Sequence, residues 1–263
     1  MKFAVALLLV VTKIVTGAPS SANPLVSYDV VYSWKQVDFQ FPSEQNREEL
    51  IASKEFIPSN NVIAGIKVYG ENVFLTVPRW KSGVPATLVR LPYKSNGAVE
   101  ASKGVKDGPK LIPYPSWELN ELGNCSAFQY VQSMEIDQHD RMWVVDVGRV
   151  NILEESSSEN TCPPKLVLIN LKTNEILFTY EFPENVVDRE TSFLNDVVVG
   201  CKSEQDCTAY ISDAGDAKIV VYNLAANSSW FVTHSSMEAD PEASAIETSG
   251  KYVHCHFMGT AFV

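Results

Sequence analysis

Four side chains in this sequence have the types and placing to do chemistry: Arg79, Asp146, Asp213 and His234. Asp146 and Asp213 each follow an aromatic residue by three positions and precede a glycine by two, in Trp143-Val-Val-Asp-Val-Gly148 and Tyr210-Ile-Ser-Asp-Ala-Gly215. Carboxylates gathered on one rim with a histidine could hold a cation, or move a proton between carbon positions of a quinone-like substrate. Asp-x-Gly after a strand is also an ordinary turn, in which the carboxylate bonds its own backbone. That plainer reading carries more weight for both aspartates. Arg79 could equally pair with a neighbouring carboxylate, and His234 could equally be a packed turn residue.

No catalytic residue is assigned beyond these rim candidates. A serine triad signature, GxSxG, a phosphate loop and a zinc motif are all missing from the sequence. His254-Cys255-His256 supplies two imidazoles on one strand face, too few ligands for a metal site, and no metal or cofactor is expected.

The elements that must position these residues are strands. Short runs rich in Val, Ile, Leu and Tyr alternate with Gly, Pro, Asn and Asp clusters, and the helical pattern is confined to 43–54. The runs recur in triplets: 65–69, 73–77 and 86–91; then 133–137, 142–146 and 165–170; then 194–199, 209–213 and 218–223. Phe74, Trp143 and Tyr210 fall at matching places in the second run of each triplet, and core packing is the expected role of all three. A sheet unit repeating with an aromatic in register predicts an all-β chain, a β-propeller in preference to a β-sandwich. The loop after each second strand would then bring Arg79, Asp146, Asp213 and His234 to one channel mouth, with His139 on the opposite face.

Among the five cysteines, Cys201 and Cys207 frame a short polar loop, which leaves Cys125 and Cys162 for a longer closure and Cys255 over. The two links are worth about 2 and about 4 kcal/mol in loop-closure entropy. Asn124 and Asn227 stand in glycosylation sequons. Lys2, the apolar run 3–11 and the small residues 16–18 read as a secretion signal over 1–17, too short to span a bilayer. A net charge of −11 repels a nucleic-acid backbone and attracts a cationic small molecule. The expectation is a secreted, extracellular chain with no membrane or nucleic-acid partner.

Several long motifs in order resemble the insect yellow and major royal jelly protein family: Phe74-Leu-Thr-Val-Pro-Arg-Trp-Lys-Ser-Gly-Val-Pro-Ala-Thr-Leu88, Leu111-Ile-Pro-Tyr-Pro-Ser-Trp117, Asp137-Gln-His-Asp-Arg-Met-Trp-Val-Val-Asp-Val-Gly148, Cys162-Pro-Pro-Lys-Leu166 and Ser229-Trp-Phe-Val-Thr-His234. The resemblance implies a secreted six-bladed propeller. It also implies a role in pigmentation and melanisation or in binding a small aromatic (biogenic) amine. The alternatives are a dopachrome-converting isomerase and a storage protein without ligand. Members usually carry a cysteine where this chain has His139, so the resemblance implies that Cys201 has taken over as partner of Cys207.

On this reading 18–60 leads into a partial propeller over 61–263, with blades at about 61–130, 131–193 and 194–243 and the start of a fourth at 244–263. About half a six-bladed ring would be missing, which predicts a fragment or splice form, or self-association through the open propeller edge. Binding residues on later blades cannot be carried over to this chain.

Overall fold

The computed structural model describes residues 31–93, 108–154 and 158–238, with the backbone of two further strands. The proposed leader at 1–17, Cys255, His256 and the side chain of His254 lie outside the described residues.

Strands dominate, as the sequence pattern implies. The first sheet runs β1 (Ile66–Tyr69), β2 (Asn72–Thr76), β3 (Leu88–Pro92) and β4 (Ile112–Pro113), hydrogen-bonded in chain order. The second repeats the meander with β5 (Val131–Ile136), β6 (Arg141–Asp146), β7 (Lys165–Asn170) and β8 (Glu175–Glu181). The third does so with β9 (Leu194–Cys201), β10 (Cys207–Asp213), β11 (Lys218–Asn223) and β12 (Ser228–Thr233). All pairings within them are antiparallel. A hairpin of β13 (Ala245–Thr248) and β14 (Lys251–His254) follows. The fourth strand of each sheet was not among the sequence triplets; it lies outermost, where burial leaves the weakest pattern.

The one α-helix among the described residues, α1 (Glu44–Ser53), starts where Ser43 accepts a hydrogen bond from the Asn46 N–H and ends at Lys54 in a left-handed conformation. None of its residues is buried. Its flanks do the packing: Trp34, Val37, Phe39 and Phe56 cover Val73, Leu75, Val89 and Leu91 on the back of the first sheet.

The sheets then pack in chain order. Phe74 and Leu88 meet Met134, Met142 and Val144 of the second sheet. The opposite face of that sheet sends Trp143, Val145 and Leu168 against Ala209, Ile211 and Tyr222 of the third. Successive first strands are neighbours, β1 beside β5 and β5 beside β9. Alternation along each strand supplies the two faces, one for each neighbour. Phe74 and Trp143 thus sit in the core, each facing the following sheet. Tyr210 departs from the expected core role: it is 48% exposed, because no described sheet covers its face.

Candidate functional site

Asp146 and Asp213 end β6 and β10, and the structure gives both the same employment. The Asp146 carboxylate accepts from the backbone N–H groups of Gln129 and Tyr130 at 2.8 Å, where the chain enters β5, and from Gly148 at 3.0 Å. Asp213 accepts from Phe193 at 2.8 Å, just before β9, and from Gly215 at 3.1 Å. Each faces the lysine that opens the next strand, Lys165 Nζ at 3.4 Å and Lys218 Nζ at 3.5 Å. Both aspartates are fully buried. They hold the entry of a sheet's first strand to the exit of its second, the turn chemistry of Asp-x-Gly extended by an ion pair.

The glycines of the phrase are demanded by close backbone approach. Gly148 has φ +78°, and a side chain there would run into the carbonyl of Cys162; at Gly215 it would run into that of Thr191.

The first sheet solves the same problem differently. Its phrase reads Phe74-Leu-Thr-Val-Pro-Arg79, with Val77 and Arg79 at the Asp and Gly places. The Arg79 side chain is buried and donates to the carbonyls of Val84, Phe128, Gln129, Pro85 and Asn120 at 2.5–3.0 Å. Burial pulls its guanidinium down to about 10, against the upward pull of Asp146. Arg79 and Asp146 therefore grip one segment, Arg79 through the Gln129 carbonyl and Asp146 through the Gln129 N–H. Asn120 completes the clamp, its side-chain Oδ1 accepting from the Thr87 and Leu88 N–H groups at 3.0 Å.

His234 stands beyond the end of β12, exposed, with Nδ1 accepting from the Ser236 N–H at 3.2 Å. Thr233 pairs with Lys218, which pairs with Asp213, so His234 shares the rim of Asp213 about 10 Å out along the sheet. The structure thus brings Arg79 and Asp146 together and leaves Asp213 and His234 apart from them. Asp146 and Asp213 are closed off from solvent, whereas Arg79, though buried, borders the cavity on this rim.

What opens on this rim is a cavity of about 670 Å³ beside the Arg79 clamp, walled by Leu50, Trp117, Asn120, Asn151 and the 81–85 loop. Trp117 stacks on Phe41 with ring centroids 5.3 Å apart. Around the cavity stand Glu55, Glu118, Glu121 and Glu159, with Lys54 and Lys81. A hydrogen bond from the Ser116 hydroxyl, then one from the backbone, holds the exposed Glu118 carboxyl below its usual range. An indole wall ringed by ionised carboxylates suits a flat cation, through ring contact and charge. Trp117 closes the Leu111–Trp117 motif with no task legible from the sequence, and no spacing signal joins 50–55, 117–122 and 159.

Cys125 pairs with Cys162 and Cys201 with Cys207, as expected. His139 lies at the opposite end of the sheets, against the second disulfide. Asn124 and Asn227 are both exposed. No helix among the described residues is long and apolar enough to cross a membrane.

A family model described as Major royal jelly protein matches residues 129–257. A dopaminechrome tautomerase of Drosophila melanogaster is 35% identical over 225 residues, covering 84% of this chain and 46% of the relative. Protein yellow of Drosophila guanche is 34% identical over 221 residues, covering 83% of this chain and 37% of the relative. The chain thus spans less than half the length of either curated relative. Among solved structures, a GH32 β-fructofuranosidase of Bombyx mori aligns with a TM-score of 0.31 and 14% identity over 81% of this chain and 48% of that one, a likeness too weak to bear on the fold.

Proposed function

Since this chain belongs to the yellow and major royal jelly protein family, we propose that it is a secreted pigmentation-linked protein whose rim cavity binds a small aromatic amine. Its three sheets and the hairpin after them are read as consecutive blades of a six-bladed type of propeller. Secretion rests on the signal-like opening of the sequence and on two disulfides, which persist in oxidising compartments. The observation that carries the ligand reading is the cavity itself, with Trp117 in its wall and four glutamates about it. An acidic chain steers a cation toward such a mouth.

Calorimetry with serotonin, dopamine and histamine tests this. Binding heat is expected for at least one of them, and Trp117→Ala should weaken it at least about tenfold, the loss of one desolvated aromatic contact. No heat with any amine removes the ligand reading and favours a storage role.

A second reading is favoured by the relative named dopaminechrome tautomerase. In a tautomerisation a base takes a proton from one carbon and an acid returns it to another. In this reading a carboxylate at the cavity takes the first task and the ammonium group of Lys54 or Lys81, which also line it, the second. Loss of dopaminechrome absorbance faster than its spontaneous decay, slowed by Glu118→Gln or Lys81→Met, supports it; an unchanged decay rejects it. Asp146 and Asp213 are set aside as bases, since both are fully buried and each faces a lysine.

A further inference from the structure

At the end of the sheets away from the cavity, the β5–β6 turn meets the β9–β10 turn. His139 comes from the first, and Cys201 and Cys207 close the second. One ligand atom from each, a ring nitrogen and two sulfurs, lie within 4.8 Å of one another. The cysteines are directly opposed across β9 and β10 and joined as a disulfide. Arg141 Nη2 lies 3.0 Å from Cys207 Sγ and 2.7 Å from Asp137 Oδ2.

As a disulfide the two sulfurs are neutral and hold no cation. A dithiol reductant supplies two electrons and two protons: its sulfurs join in its own disulfide, the Cys201–Cys207 bond breaks, and two thiols result. They remain on adjacent strands, close enough to chelate. An N–H donor to sulfur, here Arg141 Nη2 on Cys207, is the kind of outer contact that steadies a metal-bound thiolate. The Asp137 carboxylate, paired with Arg141 and 4.0 Å from Cys201 Sγ, offsets part of that positive charge. One imidazole and two thiolates form a set for a borderline or soft cation and a poor one for Mg²⁺ or Ca²⁺.

We propose that His139, Cys201 and Cys207 form a reduction-gated site for a thiophilic cation such as Zn²⁺, shut while the disulfide is intact. Binding displaces the two thiol protons and leaves a fourth position for water. The disulfide ties two strands of one hairpin, whereas the metal, through His139, ties the second sheet to the third. The site shares no residue with the rim cavity, so either reading stands or falls without the other.

Co²⁺ is the probe, added to the full chain with its disulfides intact and again after reduction and removal of the reductant under argon. A near-ultraviolet sulfur-to-cobalt band is expected in the reduced chain alone, saturating at one ion per chain and erased by Zn²⁺. His139→Ala should weaken Co²⁺ binding by more than the roughly 10- to 100-fold that loss of a supporting contact costs. The double variant Cys201→Ser/Cys207→Ser should show no band, although Cys125, Cys162 and Cys255 are reduced in it too. A band that survives in the double variant, or that ignores His139→Ala, overturns the proposal. Circular dichroism on the same samples covers loss of fold. A reduced chain that loses its β spectrum and does not regain it with Co²⁺ also overturns it, because a cation bound by the folded site alone must draw the chain back.

Discussion

The second and third sheets are built on the same phrase and differ most at the aromatic residue each carries in its second strand. Trp143 and Tyr210 occupy equivalent places in β6 and β10: Trp143 faces the third sheet, and Tyr210 faces the side of the third sheet away from the second. Trp143 is fully buried, its ring 6.4 Å from that of Tyr222 in the next sheet. Tyr210 is exposed and shares its row with exposed Val198 and Trp230, opposed to it through the strand pairings. The repeat therefore specifies which way the aromatic faces, while burial belongs to the pair of sheets. Cutting the side chains back sharpens the contrast. Trp143→Ala should cost about 3–5 kcal/mol, the loss of a large core side chain with the cavity it leaves. Tyr210→Ala should stay within about 0.5 kcal/mol, as surface changes do. Urea unfolding midpoints measure both, and equal losses would break the comparison by showing that the outer face of the third sheet is covered in solution.

The rim aspartates give a smaller contrast. Asp146 is the one carboxylate paired with Lys165 among the described residues, and that lysine is 1% exposed. Lys218 has Asp213 at 3.5 Å and also Asp216 at 2.7 Å. Asp146→Asn leaves a buried ammonium without a counter-charge and should cost about 1.5–3 kcal/mol. Asp213→Asn, with Asp216 still in place, should cost nearer about 1 kcal/mol. The same midpoints decide it: matched losses would mean that the backbone N–H groups both aspartates accept from, and not the lysines, set the cost.

The sequence made the middle strands legible and the outer ones not, for one reason. Middle strands such as β6 and β7 are buried on both faces and read as unbroken apolar runs. The outer β8 alternates between half-exposed and exposed residues, β12 is almost wholly exposed, and β4 is two residues long. At the rim, Asp-x-Gly located the clamps but not their partners. Lys165 lies across the long 148–164 connection from Asp146, and strand pairing alone brings them opposite each other. Arg79 was legible as a charge near the rim; the five carbonyls it gathers come from segments that sequence spacing does not join. The cavity depends in the same way on the segment around α1 meeting 117–122. His139 beside Cys201 and Cys207 joins two sheets, a meeting implied by resemblance and not by any local pattern.

The smallest contrast lies at the far ends of the same two hairpins, one closed by charge and the other by a covalent link. Asp137 accepts from Arg141 Nε, Trp143 Nε1 and the His139 N–H, each at 2.8 Å. Burial by itself pushes this carboxyl up, but the hydrogen bonds and the Arg141 charge outweigh it and hold the group below its usual range. A carboxyl lowered in the folded state adds stability that is present in full above the unfolded value, near pH 4, and is lost as pH falls through the lower folded one. Wild type should therefore exceed Asp137→Asn in urea midpoint at neutral pH, and the gap should narrow below about pH 4. The β9–β10 end is closed by a disulfide instead: the gap between wild type and Cys201→Ser/Cys207→Ser should stay level across the same range, since a disulfide does not titrate there. A gap for Asp137→Asn that stays level too would mean that the carboxyl is not held down by its donors, and the two ends would then resist acid alike.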